Sequence, residues 1–221
     1  MTLCHYFIKE DKMPKVNSEY YEERKKYIID CTMKVLSKKT LEQVNMRDII
    51  RETGFSQGTV YNYYKNVDEI ISTIICQYMR EMKAALQICI EQSENFHDCY
   101  HKICDGMIAL HQQNPQLFEA MLGKILYHDT EQDKQDILFE IYQIGEELNS
   151  AVIGLLKNGI NDGFVRADLN LYVVIFHLWS GIAQTILFSY HKQKYIESQF
   201  HMTRYEYMEQ AFHLIICSIL K

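Results

Sequence analysis

Residues 45 to 67, with the sequence NMRDIIRETGFSQGTVYNYYKNV, constrain the fold of this chain more than any other stretch. Asn45 is a good N-cap for a short helix. Gly54 stands where that helix must end, because glycine readily adopts the left-handed conformation of a helix end. Ser56 can cap a second short helix, with Gly58 in its first turn. The stretch therefore predicts two short helices joined by a tight turn.

The second of these helices carries small polar and tyrosyl groups instead of an ordinary amphipathic face. A glycine in a first helical turn costs stability, so Gly58 makes sense if a bulky partner approaches the backbone there. A plain helical hairpin is the alternative, but it does not explain this crowding of polar groups. Gln and Asn can pair with adenine, a Thr methyl can contact thymine, and Tyr and Lys suit phosphate oxygens. The pattern indicates a DNA-binding helix-turn-helix, with Gln57, Thr59, Tyr61, Asn62, Tyr63 and Lys65 as candidate contacts.

From residue 24 to residue 70 the chain resembles the N-terminal domain of TetR-type (tetracycline-repressor-like) transcriptional regulators. The resemblance is carried by Arg24, Ile28 and Ile29, by residues 44–49 (VNMRDI), by residues 54–66 (GFSQGTVYNYYKN) and by residues 68–70 (DEI). It implies that Gln57, Gly58 and Tyr61 reach bases, while Asn45, Thr59, Tyr63 and Lys65 hold the DNA backbone. Arg47 and Asn62 complete the predicted DNA-binding set. Residues 162–168 (DGFVRAD) resemble the loop before the dimerisation helix of the family.

The chain departs from the family pattern at a few positions. Thr40 stands where glycine is usual, and Val67 stands where a basic residue touches a phosphate. Ile50 and Thr53 occupy positions where small residues are favoured. These changes bear on DNA affinity more than on the fold.

Charge is divided unevenly along the chain. Residues 1–66 hold 12 Lys and Arg against 9 Asp and Glu, a balance of +3. Residues 67–221 hold 11 against 20, a balance of −9, so the net charge is −6. Positive charge thus coincides with the helix-turn-helix, as phosphate binding requires. The acidic remainder is expected to keep away from DNA.

Composition favours an all-α fold, since 221 residues contain only nine Gly and two Pro. We predict an N-terminal arm (1–18), a three-helix helix-turn-helix DNA-binding domain (19–66) and a larger C-terminal helical effector-binding and dimerisation domain (67–221). Translation could start at Met1 or at Met13. Helices are predicted near 18–37, 46–52, 57–63, 67–92, 115–127, 134–158, 171–190 and 203–220.

The segment from 170 to 190 has no Asp, Glu, Lys or Arg over 21 residues, which is long enough to span a bilayer. Polar residues such as His177 and Gln184 dilute it, so we expect a helix buried on both faces and no membrane partner. Seven cysteines lack the spacing of a disulfide framework, and the N-terminus does not resemble a signal peptide. A reducing cytoplasm is the predicted location.

The last two long helices are rich in large apolar groups. Two copies of such a two-helix face would form a four-helix bundle, although an internal core is the alternative. The family resemblance favours a homodimer. The predicted dimer interface consists of Val174, Leu178, Ile182, Ile186, Phe212, Ile215 and Ile219.

A second set of apolar residues could line a pocket in the larger domain. Apolar walls with a few polar groups suit a small organic ligand, although aromatic and Met residues at helical spacing are also typical of plain core. The candidate effector pocket consists of Tyr78, Met82, Phe118, Met121, Leu122, Tyr142 and Trp179.

His97, His101 and Cys104 are spaced to share one helical face, which could bind Zn²⁺ or Cu⁺. Nine His residues in the chain raise the chance of an accidental match. We therefore expect a partly buried face and no metal or other cofactor.

The sequence contains no G-x-S-x-G, phosphate-binding Gly loop or H-E-x-x-H, so an enzyme is not expected. The predicted function is that of a homodimeric, cytoplasmic transcriptional regulator. We expect a repressor that an unidentified small-molecule effector releases from a double-stranded DNA operator. Two alternatives remain: an effector-free architectural or cell-division factor of the same fold, and a metal-responsive sensor.

Overall fold

The computed structural model describes residues 15–124 and 136–221, and the regular elements of these two ranges are all helical. The predicted all-α fold is confirmed. The helices are α1 (Lys15–Leu36), α2 (Met46–Thr53), α3 (Gln57–Tyr61), α4 (Val67–Gln92), α5 (Phe96–Gln113), α6 (Pro115–Lys124), α7 (Ile137–Asn161), α8 (Leu171–His191), α9 (Gln193–Tyr195) and α10 (Arg204–Cys217). A 3₁₀ turn at Leu41–Gln43 and a π-helical turn at Ile196–Phe200 complete the regular structure.

Several helix boundaries differ from the predicted ones. Helix α1 begins inside the predicted arm, and α3 ends at Tyr61 because Asn62 is its C-cap. Helix α5 and the turns after α8 are absent from the predicted list of helices, although the spacing around His97 indicates a helix there. Residues 1–14 of the arm, both candidate start methionines and the segment 125–135 lie outside the described residues. That segment contains the predicted end of one helix and the start of the next.

The chain divides into two compact units, and the boundary follows Ile71, inside α4. In the first unit α1 packs along α2. Ile28, Ile49 and Val60 contribute fully buried side chains from its three helices, and Tyr64 is 1% exposed. This core fixes the angle between α2 and α3. The fixed angle leaves one side of α3 accessible to a partner.

Thr40 explains how the first unit tolerates the loss of the usual glycine. Its φ of −72° and ψ of 158° are extended, so no left-handed residue is needed. The Thr40 N–H donates to the Gln43 side chain at 3.3 Å, which caps the 3₁₀ turn before α2. A short capped turn therefore replaces the left-handed end of α1.

The second unit is a helical bundle in which α8 and α10 pack most extensively. Its core includes the fully buried Ile141, Leu156 and Ile186. The buried Tyr100 hydroxyl donates to the Phe212 carbonyl at 2.9 Å and ties α5 to α10. These contacts hold the long helices in a fixed arrangement within the unit.

Residues 162–168, which resemble the loop before the family's dimerisation helix, turn tightly after α7. Val165 is fully buried and makes an isolated antiparallel bridge with Leu220. A Cβ built on Gly159 would lie 2.7 Å from the Val165 side chain. The close approach of this loop to α7 therefore requires glycine at position 159.

His111 is a buried polar residue of the second unit. It is 1% exposed, and neither ring nitrogen has a hydrogen-bond partner within the described ranges. Its ring packs edge-on against Phe118 and Tyr190. The pKa of His111 is lowered to about 4, first by burial and then by the positive charges of Arg204 and His191. The imidazole is therefore neutral at ordinary pH.

Helix α8 has a mean hydropathy of 1.7 over its most apolar window and is long enough to cross a membrane by length and composition. Only 39% of that window is buried, so the expected burial on both faces is not found in the part of the single chain that the structure describes. One face packs inward, while Tyr172, Val173 and Phe176 on the other are 64 to 71% exposed. The helix thus has one apolar face without a covering partner within the described residues.

The residues predicted for the dimer interface lie instead in the core of the protomer. The reason is that α8 packs against α5, α7 and α10, so the faces that carry these residues point into the helical bundle. Six of the seven are at most 6% exposed, namely Val174, Leu178, Ile182, Ile186, Phe212 and Ile219, and Ile215 is half-buried. An interface with a second copy would have to use their outward-facing neighbours.

Candidate nucleic-acid interface

The first helix of the motif, α2, is capped at both ends as its sequence predicts. The Asn45 side chain accepts a hydrogen bond from the Asp48 backbone N–H at 3.2 Å. Gly54 ends the helix with a φ of 68°, and its N–H donates to the Ile50 carbonyl at 3.2 Å. Because L residues rarely adopt that φ, glycine allows the sharp turn into α3.

The second helix, α3, begins at a hydroxyl cap. The Ser56 Oγ accepts from the Thr59 N–H at 3.2 Å and lies 2.8 Å from the Thr59 hydroxyl. Gly58 lies in the first turn, where a Cβ would meet no atom within 4 Å. The open space above the backbone fits close approach by a bulky partner, as the sequence pattern predicts.

The residues predicted to contact DNA all lie on α2, α3 and the segments that flank them. Seven of the nine are exposed, namely Asn45, Arg47, Gln57, Gly58, Tyr61, Asn62 and Lys65. Thr59 and Tyr63 are half-buried. Val60 and Tyr64 point the other way, into the core of the unit. One side of α3 therefore anchors the helix and the other presents amide, hydroxyl and ammonium groups to a partner.

Aromatic contacts from α1 hold α3 and its turn in place, and sequence patterns alone did not identify them. The Tyr21 and Tyr63 rings lie 4.8 Å apart, and the Tyr27 and Phe55 rings lie 5.3 Å apart. The Arg24 guanidinium lies 5.0 Å from the centre of the Phe55 ring. The sequence signal for these contacts was the spacing of tyrosines along α1, because Tyr21 and Tyr27 each supply one ring of a pair.

A small ion-pair cluster fixes the start of α2. Asp48 is 6% exposed, and its carboxylate accepts from the Lys39 ammonium at 2.7 Å and from the Arg51 guanidinium. The hydrogen bond from Lys39 is the main reason why the pKa of Asp48 is below its usual value. The cluster links the turn after α1 to α2, while Arg51 remains largely exposed.

This surface has the chemistry of a DNA-reading helix. The Gln57 and Asn62 amides can form paired hydrogen bonds with base edges, whereas Tyr63 and Lys65 can contact phosphate oxygens. The exposed groups include Arg47 and Lys65 but no carboxylate on α3 itself. A short helix that bears amides and hydroxyls on one exposed side is suited to the major groove.

A separate groove of about 250 Å³ lies in the second unit, between α4 and α5. Two residues of the predicted effector pocket, Met82 and Trp179, belong to its lining. The other lining residues include Ala85, Leu86, Lys102, Gly106, Met107 and Leu110. The remaining members of the predicted pocket, Tyr78, Phe118, Met121, Leu122 and Tyr142, are not part of this lining, and Phe118 and Met121 are buried in the core.

The predicted metal-binding candidates do not form a site. His97 is exposed and packs against the half-buried His101, with ring centroids 4.5 Å apart. Cys104, one turn further on, is 1% exposed and faces the core. Within residues 15–124 and 136–221, no group of three or more His, Cys, Asp or Glu side chains is placed to hold a metal ion. The helical face that carries His97, His101 and Cys104 therefore runs from the exposed surface into the core.

The sequence model of the family described as bacterial regulatory proteins, tetR family, matches residues 28–74 of this chain. The match begins within α1, includes all of α2 and α3, and ends in α4. It therefore coincides with the surface described above.

Several relatives are transcriptional regulators by name. The chain is 36% identical over 62 residues to the uncharacterized HTH-type transcriptional regulator YfiR of Bacillus subtilis, covering 28% of this chain and 30% of YfiR. The match to the uncharacterized HTH-type regulator YvdT of the same organism is longer, with 34% identity over 163 residues, 72% of this chain and 81% of YvdT. The transcriptional repressor KstR of Mycobacterium tuberculosis is 26% identical over 145 residues, 65% of this chain and 63% of KstR. The chain therefore spans less than a third of YfiR but most of YvdT.

Solved structures share the fold over most of the chain. FadR from Bacillus subtilis, in complex with stearoyl-CoA, matches with a TM-score of 0.64 and 16% identity, covering 87% of this chain and 98% of FadR. The ketosteroid regulator KstR2 of Mycobacterium tuberculosis matches with a TM-score of 0.64 and 13% identity, covering 90% of this chain and 95% of KstR2. At these identities the likeness establishes a common fold.

Proposed function

The chain belongs to the tetR family of bacterial regulatory proteins, and from that premise we propose that it is a sequence-specific, DNA-binding transcriptional regulator. The observation that carries the proposal is the exposed side of α3. Gln57, Gly58 and Tyr61 are exposed there in the first turns of a capped helix. The open space above Gly58 lets a base pair approach the helix backbone closely.

The roles of individual residues are those that the family resemblance implies, and the chemistry of each group is consistent with them. Gln57, at the first position of α3, reads base edges with its amide, and Tyr61 reaches the same groove one turn later. Asn45, Thr59, Tyr63 and Lys65 hold the phosphate backbone on both sides. Arg47 and Asn62 extend the contact surface. An isolated positive patch would bind DNA without sequence preference, so the amides are the part that confers specificity.

The regulator acts as a homodimer, because one recognition helix reads only half of a symmetric operator. Two helices gripping successive major grooves must be about 34–36 Å apart. The exposed apolar face of α8 is the surface that a second copy covers. Tyr172, Val173 and Phe176 on α8 and Leu214 on α10 are 64 to 71% exposed, and no Asp, Glu, Lys or Arg interrupts α8. Two such faces form a four-helix bundle.

Repression relieved by an effector is the mode of action that the second unit supports. The groove between α4 and α5 offers a binding place, which favours an effector-controlled regulator over an effector-free factor of the same fold. The complex of FadR with stearoyl-CoA supports the expectation that this fold holds a small-molecule ligand. The name of KstR supports repression. The protein acts on DNA as a non-enzymatic regulator, so the cytoplasm is its place of action.

Release from DNA follows as a shift of population. Helix α4 contributes Met82 and Ala85 to the groove and begins at Val67, directly after the DNA-reading surface. An effector that prefers the α4 position of the non-DNA state removes molecules from the DNA-bound state. An effector with equal affinity for both states would release nothing.

The test is selection of duplex fragments from random and genomic DNA by the full-length protein. We expect enrichment of a near-palindromic sequence, with affinity that falls steeply as salt rises, because Lys65 and the other cations of residues 1–66 displace counterions. A matched Gln57→Ala protein should select a sequence degenerate at one base pair of each half-site. Recovery of unenriched DNA by the wild-type protein would refute the proposal.

A further inference from the structure

The α4–α5 groove has mainly apolar walls. Leu86 and Met107 are buried at its base, and Met82 is half-buried beside them. Ala85 and Gly106 keep the groove open because their side chains are small, and a Cβ on Gly106 would meet no atom within 4 Å. The groove is therefore shaped for an apolar body that lies between the two helices.

The only cation in the described lining is Lys102, and its ammonium group is already engaged. It lies 2.8 Å from an Asp98 carboxylate oxygen and 3.1 Å from the Gln92 carbonyl oxygen. The hydrogen bond from Lys102 is also the main reason why the pKa of Asp98 is below its usual value. Asp98 therefore stays ionised and neutralises the cation.

Glu81 adds a carboxylate to the same lining. Taken with the Lys102–Asp98 pair, the described lining presents negative or neutralised charge to whatever enters. A ligand carboxylate placed here would lose water without gaining a counter-ion, and such desolvation is costly. The charge of the groove therefore selects against anions.

We propose that this groove binds a small, uncharged, largely apolar molecule and discriminates against carboxylates of the same size. The proposal names the class of effector and rests on the proposed function in that respect. A volume of about 250 Å³ is slightly below that of pockets for drug-sized ligands, so the ligand is small. Apolar contact with Met82, Leu86 and Met107 supplies the affinity.

The chain carries its own reporter for this site. Trp179 is its single tryptophan, lines the groove and donates from its indole N–H to the Asn149 side chain at 3.2 Å. Titration of the full-length protein with 1-octanol should change its fluorescence saturably. Octanoate should bind at least about tenfold more weakly, because its carboxylate must be desolvated without a partner. Octanoate binding as tight as octanol would overturn the proposal.

A pair of glycine variants tests the location. Gly106→Leu should fill the groove and weaken octanol binding by at least about tenfold, because the added side chain occupies the space of the ligand. Gly154→Leu is the matched control, since Gly154 is an exposed helical glycine on α7 where an added Cβ would likewise meet no atom within 4 Å. Equal octanol affinity in the two variants would place the ligand elsewhere and contradict the proposal.

A pair of acid variants tests the reason for selectivity. Asp98→Asn removes the charge that neutralises Lys102 but keeps an oxygen for the Glu94 N–H, which lies 3.1 Å from the Asp98 carboxylate. Octanoate affinity should rise at least about fivefold, because an ion pair with the freed ammonium becomes available, while octanol affinity stays unchanged. Asp105→Asn, an exposed acid on the same helix, is the control. No gain in Asp98→Asn would refute the role of the Lys102–Asp98 pair.

Operator affinity, measured separately with and without octanol, distinguishes the two levels of the hypothesis. Octanol binding in the groove without loss of operator affinity would contradict the effector role and leave the ligand class intact. Intact operator binding without any octanol binding would contradict the ligand class and leave the regulator intact. If the ligand class and the effector role are both correct, operator DNA should weaken octanol binding by the same factor as octanol weakens operator binding.

Discussion

The ring of Tyr63, which follows the recognition helix α3, packs on the ring of Tyr21 in α1 with the two centroids 4.8 Å apart. Tyr21 is 40% exposed, so the contact lies at the edge of the unit and beside the DNA-reading surface. A side chain of α1 that makes no base contact in the proposal therefore helps to set the position of α3.

Replacing Tyr21 tests this relationship. Tyr21→Ala should lower the stability of the first unit by about 0.5–1.5 kcal/mol, the range measured for aromatic pairs. It should also weaken operator binding, because the turn at Tyr63 becomes less constrained. Tyr21→Phe keeps the ring and serves as control in urea unfolding and in anisotropy titrations with operator. If Phe and Ala weaken binding equally, the hydroxyl matters and the ring contact does not.

Gln57→Ala tests base reading. Loss of a paired hydrogen bond to a base should cost about 1–3 kcal/mol on the preferred operator and relax preference at one base pair. Binding to unrelated duplex should change little, since phosphate contacts remain. Gln92→Ala, an exposed glutamine at the end of α4, is the matched control in competition titrations. A uniform loss on all duplexes would assign Gln57 to the phosphate backbone.

Phe176→Asp tests the dimer face. Phe176 is 70% exposed in the protomer, so the substitution should leave the fold intact while it places a charge in the proposed bundle, at a cost of about 3–5 kcal/mol. We expect folded monomers with weakened operator binding. Ile88→Asp, at a residue 51% exposed on α4, should remain dimeric. Sedimentation velocity gives the mass and circular dichroism the helix content; an unchanged dimer in Phe176→Asp would move the interface elsewhere.

His111 predicts a pH dependence of stability. Its pKa is about 4 in the folded protein against 6.5 for the unperturbed group, so the unfolded chain binds the extra proton between these values. The contribution of neutral His111 to the free energy of unfolding is fully present above pH 6.5. It decreases as pH falls towards 4, by up to about 1.4 kcal/mol per pH unit.

His111→Phe keeps a ring between Phe118 and Tyr190 and removes the titrating group. The difference in unfolding free energy between wild type and this variant should depend on pH between 4 and 6.5 and be constant above. Urea unfolding across this range measures it. His97→Phe, at an exposed histidine of the same helix, is the control. Parallel curves for wild type and His111→Phe would show that His111 does not titrate in the folded state as inferred.

The motif was predictable because its signals are local. The caps at Asn45 and Ser56 and the left-handed Gly54 each act within a few residues, and the structure has all three in the expected geometry. The exposed and buried sides of α3 follow from the same short segment. Local patterns were therefore enough to predict the two helices of the motif and the turn between them, while the DNA contacts of individual residues stay a prediction.

The larger unit was less predictable because its outcome depends on tertiary contacts. Val173 and Val174 are identical neighbours in an uncharged helix, yet one is 64% exposed and the other 4%. Composition cannot tell which of them the neighbouring helices will cover, and the set predicted for the interface is the one that lies in the protomer core. The groove was partly missed for the same reason. Gly106 in mid-helix was its one signal, and glycine there has several possible causes.

If two copies pair through the exposed apolar face of α8 as proposed, the protein responds to its own abundance. Under the proposed pairing, dimers form in proportion to the square of the monomer concentration, so occupancy of an operator responds more steeply than linearly to copy number. Dilution by cell growth would then loosen control without any small molecule, and resynthesis would restore it. A face of four exposed side chains, Tyr172, Val173, Phe176 and Leu214, would thereby set the expression threshold of the regulated genes.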